Sequence, residues 1–131
     1  MKVNYALIFD ALVLLVVAVG CFFDMRWVHD MLGIYHAPDS VFFCQLLGAA
    51  VFGLALQNWL VRKIEDLEKL RIILLANFVG HGAAFLIILA NKLNGAGNVT
   101  TWLAVGYTLI ATLLFGYFFD RPRLQSQSRH V

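Results

Sequence analysis

Long apolar runs separated by short polar segments make up most of the chain, and the runs have the length of membrane crossings. Val3 to Phe23 is apolar apart from Asn4 and Asp10, and Ala11 to Phe23 carries no charge. Val41 to Val61 lies uncharged between Asp39 and Arg62. Ile72 to Asn91 is free of Lys, Arg, Asp and Glu between Arg71 and Lys92, and Thr100 to Phe119 repeats the pattern before Asp120. About 20 such residues cross a hydrocarbon core of about 30 Å. The pattern predicts an all-α, integral membrane four-helix bundle with spans over about residues 3–23, 41–61, 72–91 and 100–119. These form a single domain over 1–119, followed by a polar, disordered tail over 120–131.

The connections orient this bundle. With the N-terminus inside, the cytoplasmic side holds Lys2, Arg62, Lys63, Lys69, Arg71, Arg121, Arg123 and Arg129, and the outer loops hold only Arg26 and Lys92. Cytoplasmic segments carry an excess of Lys and Arg, so both termini are expected inside. The inner connection from Arg62 to Arg71 alternates in sign and is short, which predicts an antiparallel hairpin of spans two and three. In the outer connection, Trp27, Val28, Met31, Leu32 and Tyr35 recur at helical spacing, with Arg26, His29, Asp30 and Gly33 opposite. That describes a short amphipathic helix over about 25–36, lying flat at headgroup level. Ala37-Pro-Asp-Ser40 ends it and offers Asp39 or Ser40 as a cap for the second span. Asn94 to Asn98 is a flexible turn.

Composition agrees with this picture. The 131 residues are 61% hydrophobic and 14% charged, against roughly 25% charged in a typical soluble domain. A formal charge of +2, spread over the chain, leaves no basic run to track phosphates, so no nucleic-acid partner is expected.

Candidate chemistry centres on Asn77-Phe-Val-Gly-His81-Gly-Ala-Ala84, in the middle of the third span. Asn77, His81 and Ala84 share one helical face with Gly80 beside them, and ionisable groups at membrane depth are functional candidates by default. At about 1.5 Å per residue, Asp10 and Asn77 both lie roughly 10 Å from the cytoplasmic ends, with Thr112 near the same level. His81 falls about one turn further out, beside Tyr107 and Thr108. Asp10, Asn77, His81, Tyr107 and Thr112 thus define a polar layer with two readings. One is a proton relay or polar ligand site in a small transporter or ligand-binding protein. The other is a satisfied hydrogen-bond network between helices, since Asn, Thr and His are common interhelical glue. A single acid and unbroken helices weigh toward the second.

Small residues supply a packing map. Gly48, Ala49 and Gly53 on the second span, with Gly80 and Ala84 on the third, follow the small-xxx-small pattern, which predicts a tight seam between these two helices. Cys21 ends the first span and Cys44 begins the second, so both are expected near the outer surface, where a disulfide is chemically permitted; two buried small residues are the simpler reading. Ala18-Val-Gly-Cys21 loosely resembles a lipoprotein cleavage box, but Asp10 in the apolar core and Val19 before the glycine argue against it. His81 has no second histidine at membrane depth for bis-His haem, and Met25, His29, Met31 and His36 have only one pair at one-turn spacing, so no metal or cofactor is expected. No HExxH, GxSxG or phosphate loop occurs, and no enzymatic activity is expected.

The stretch Gln45-Leu-Leu-Gly48-Ala-Ala-Val-Phe-Gly53-Leu-Ala-Leu-Gln-Asn58-Trp59-Leu-Val-Arg62, with Trp102 opening the last span and Phe115-Gly-Tyr-Phe118 near its end, resembles a family of small uncharacterised bacterial four-helix inner-membrane proteins. The likeness runs from about Pro38 to Phe119. It implies a multi-pass protein of the bacterial inner membrane and the same bundle, and carries no activity. The resulting expectation is an accessory or assembly subunit that works within the lipid bilayer by association with another membrane protein or as a homo-oligomer.

Overall fold

The computed structural model describes residues 3–23, 28–30, 33, 40–64 and 66–127. The described residues contain four long helices and no strand: α1 (Val3–Phe23), α2 (Ser40–Val61), α3 (Leu67–Leu93) and α4 (Thr101–Gln127). All four are long and apolar enough to cross a membrane. Large side chains stand exposed along their middles, among them Phe9, Leu12, Val16, Leu54, Val79, Leu86 and Ile110.

Each helix turns a narrow inward stripe toward its neighbours. On α1 the buried stripe runs through Leu7, Asp10, Leu14, Ala18 and Cys21, flanked by buried Ala6, Ala11 and Gly20, and on α2 it runs through Cys44, Gly48, Ala55, Asn58 and Val61. The spacings of three, four and seven are those of one helical face. On α3 the buried set is Leu70, Leu74 and Asn77, and on α4 it is Thr101, Val105, Thr108, Ala111, Phe115 and Phe118. At one end of the bundle Leu7, Val61, Leu70, Leu74, Phe115 and Phe118 form a core to which every helix contributes. Toward the other end a smaller cluster joins Cys21, Val28 and Cys44.

The tight seam expected between α2 and α3 lies elsewhere. The closely packed pairs are α1 with α2 and α3 with α4; α1 and α4 touch more sparsely, and the backbones of α2 and α3 stand further apart than either pair. The glycines explain the difference. A Cβ at Gly48 would lie 2.8 Å from the Cβ of Cys21 and 3.3 Å from the carbonyl of Ala18, so Gly48 serves the approach of α1. Gly82 faces Thr112 of α4, and a Cβ at Gly116 would stand 3.1 Å from the ring of Phe78, so both glycines let α3 and α4 come together. Gly53 and Gly80 have nothing within 4 Å of where a Cβ would stand, and Ala84 is half-buried.

The α2–α3 turn is shorter than the charge pattern suggests, because Asp66 caps α3 and starts it at Leu67. Its carboxylate accepts from the backbone N–H groups of Glu68 and Lys69 at 3.1 and 3.3 Å. The Lys69 ammonium at 3.0 Å and these N–H groups hold the exposed carboxyl below the ordinary carboxylate range. Between α3 and α4, Gly95 and Gly97 adopt positive φ at +86° and +72°. Asn98 accepts from the N–H and hydroxyl of Thr100 and donates to the carbonyl of Asp30 at 2.9 Å, tying this turn to the segment after α1.

The sequence places the end of the last helix at Phe119 with a disordered tail; instead α4 continues to Gln127. Arg, Leu and Gln after Asp120 are good helix formers, while Pro122, which lacks an N–H and crowds the carbonyl of the preceding turn, opposes them. The expected interfacial helix over 25–36 lies mostly outside the described residues. Residues 28–30 are helical, and both Val28 and His29 are buried there, although they fall on opposite faces of the expected amphipathic pattern. Asp39 also lies outside the described residues.

Candidate functional site: a four-helix polar layer

The inward stripes meet at one carboxyl group. Asp10, 2% exposed, stands where α1 faces the other three helices. Its Oδ2 accepts from the Asn58 amide of α2 at 2.6 Å, and its Oδ1 accepts from the Tyr107 hydroxyl of α4 at 2.5 Å. His81 of α3 bridges both oxygens, its Nε2 lying 3.1 Å from Oδ1 and 3.3 Å from Oδ2. Asn77, one turn before His81, donates to the side-chain carbonyl of Asn58 at 2.7 Å. Five side chains from four helices therefore form one connected network on a single acid.

Packing fixes the imidazole. The Phe115 ring stacks on it at 5.5 Å between centroids with a 14° interplanar angle, and Tyr107 meets it edge-on at 5.7 Å. With a proton on Nε2 the neutral ring donates to the carboxylate; as imidazolium it completes an ion pair whose charges are about 3 Å apart. In either form Asp10 receives donors from three other helices.

Of the sequence-derived layer, Asp10, Asn77, His81 and Tyr107 are brought together and Thr112 is not. The Thr112 hydroxyl donates to the carbonyl of Thr108 at 2.7 Å, and Thr108 donates to the carbonyls of Ala104 and Val105. Both threonines bond back along their own helix, as a hydroxyl in a helix interior readily does. Sequence depth counting missed Asn58, which is fully buried and is the network's link between Asp10 and Asn77. The available signal was periodicity: Asn58 continues the face marked by Gly48 and Ala55. Phe115, the wall behind His81, was also missed.

A shallow crevice of about 10 Å³, room for one water-sized molecule, lies between α1 and α4, lined by Ala6, Phe9, Ile110, Leu114 and Phe115 and reaching Asp10. Cys21 and Cys44 are both free thiols, buried in one cluster. Among the described residues no group of three or more His, Cys, Asp or Glu side chains is placed to hold a metal ion.

Fold and site together define a class: an all-helical bundle of four membrane-length helices joined by a buried, acid-centred polar layer. No family model, curated protein or solved structure matches the chain.

Proposed function

We propose that this is a non-enzymatic, four-span protein of the bacterial inner membrane that acts by associating with a second copy of itself or another membrane protein, as an accessory or assembly subunit. The observation that carries this reading is the outward face of α3. Ala76, Gly80, Ala83, Ile87 and Ala90 are all exposed and recur at alternating spacings of four and three. That is the seam of a left-handed helix pair built from small residues. Nothing approaches the position of a Gly80 Cβ, so the groove is open along the helix least buried within its own chain. Ala49 and Gly53 make a shorter exposed pair on α2.

Both termini are assigned to the cytoplasm by the Lys and Arg distribution. Arg62 lies 3.6 Å over the Trp59 ring and Arg71 lies 4.7 Å over Phe119 at the same end of the bundle, an arrangement of basic and aromatic groups suited to a membrane interface. The polar layer serves the fold in this reading: each of its five side chains is bonded to another of the five.

Cross-linking and mass measurement of the full-length protein in detergent or nanodiscs test the reading. A dimer or stable partner complex is expected, and Gly80→Leu is expected to dissociate it while leaving helicity unchanged. A strictly monomeric wild-type protein that retains no membrane partner overturns it.

The buried acid–imidazole pair favours a second reading, a small transporter or ligand-binding protein that uses Asp10 and His81. It predicts pH-dependent flux in proteoliposomes that is lost in His81→Ala. No flux, or unchanged flux in a folded variant, sinks it.

A further inference from the structure

The cysteines are the second place where two helices present reactive groups to each other. Cys21 is 1% exposed at the end of α1 and Cys44 is 8% exposed in the first turns of α2, and the two are buried in one cluster. Gly48, one turn after Cys44, lets the two backbones come so close that its own added Cβ would stand 2.8 Å from that of Cys21. A disulfide needs Cα atoms roughly 4.4–6.8 Å apart and Cβ atoms near about 3.8 Å. Two thiols buried in one cluster, on helices that Gly48 lets approach this closely one turn away, are placed for such a bond without unfolding either helix.

We propose that Cys21 and Cys44 form a reversible interhelical disulfide, a redox modification site that staples α1 to α2. The more exposed Cys44 meets the oxidant, a small-molecule or protein disulfide. Its thiolate attacks one oxidant sulfur, forming a mixed disulfide and releasing the first oxidant thiol. The Cys21 thiolate then attacks the Cys44 sulfur, forming the intramolecular bond and releasing the second. Two protein thiols and one oxidant disulfide thus become one protein disulfide and two small thiols, the two protons passing to the departing thiolates. The chemistry belongs to the pair, whichever compartment supplies the oxidant. On the topology proposed above that compartment is the outer, oxidising one.

The test uses the full-length protein in native membranes, treated with diamide or oxidised glutathione, acid-quenched, denatured and labelled with a maleimide-polyethylene glycol. Reduced protein is expected to take two labels per chain. Oxidised protein is expected to take none while remaining a monomer on a denaturing gel, and dithiothreitol is expected to restore both labels. In Cys21→Ser, oxidation is expected to leave Cys44 either labelled or reversibly capped by the oxidant's thiol, with no loss of label by internal pairing. Two labels persisting in the oxidised wild type, or bonds formed only between chains, overturn the proposal.

Discussion

At the scale of the residue, Asp10 carries more of the bundle than its size suggests. A carboxylate has room for about four donors, and here three are supplied by Asn58, His81 and Tyr107 from three different helices. Asp10→Ala removes the common acceptor and leaves those donors without it. A buried polar group without a partner costs about 1–3 kcal/mol in soluble proteins, while single hydrogen bonds in membrane bundles average about 0.6 kcal/mol. We expect Asp10→Ala to lose about 2 kcal/mol or more, and Tyr107→Phe, which keeps the ring against His81, to lose about 1 kcal/mol or less. Thermal or detergent unfolding measures both. Equal losses would show that the carboxyl is not the hub.

The sequence made most of this hub legible, because a polar residue stands out in an apolar run and its depth follows from counting. Asp10, Asn77, His81 and Tyr107 were found that way. The same counting misassigned Thr112, since depth says nothing of a hydroxyl's option to bond the preceding turn of its own helix. It passed over Asn58 because that residue sits close to the end of its run, where an Asn reads as interfacial. Its amide reaches inward because position 58 lies on the buried face of α2.

At the scale of the element, small residues decide which helices pair, and spacing alone does not say which partner they face. Gly48 and Gly53 carry the same sequence pattern, yet Gly48 lies against Cys21 and Ala18 while Gly53 lies open. Leucine at position 48 must push α1 away, and overpacking of this kind costs about 1–3 kcal/mol. A Cβ at the exposed position 53 has nothing within 4 Å. Gly48→Leu is therefore expected to lower the unfolding midpoint and to slow disulfide formation between Cys21 and Cys44. Gly53→Leu is expected to leave both as they are. Unfolding curves and the labelling assay report the contrast, and equal behaviour of the two variants would refute the assigned pairing. The α2–α3 hairpin expected from its short connection is real as a turn, but chain adjacency did not make those helices the closest neighbours.

At the scale of the whole molecule, the bundle is two helix pairs held together by the polar layer and the core beside it. Asp10 and Asn58 come from one pair, and Asn77, His81 and Tyr107 from the other. Helices already stable in lipid gain nothing from hydrophobic burial when they meet, so polar contacts and close packing decide whether the pairs associate. A chain divided between Ile64 and Asp66, in the α2–α3 turn, is expected to reassemble when its halves are produced together. Affinity purification of one half should recover the other, and Asp10→Ala should abolish or greatly reduce that recovery. Full recovery with the variant would assign the association to apolar packing alone.

The acid at the hub also sets an order of assembly. Asp10 is made first, and its three partners follow at positions 58, 81 and 107, each on a later helix. During synthesis the carboxyl therefore precedes every donor that matches it in the folded chain. It acquires its last donor only when α4 arrives. A chain that ends before Tyr107 therefore still carries an acid that lacks one of its three donors.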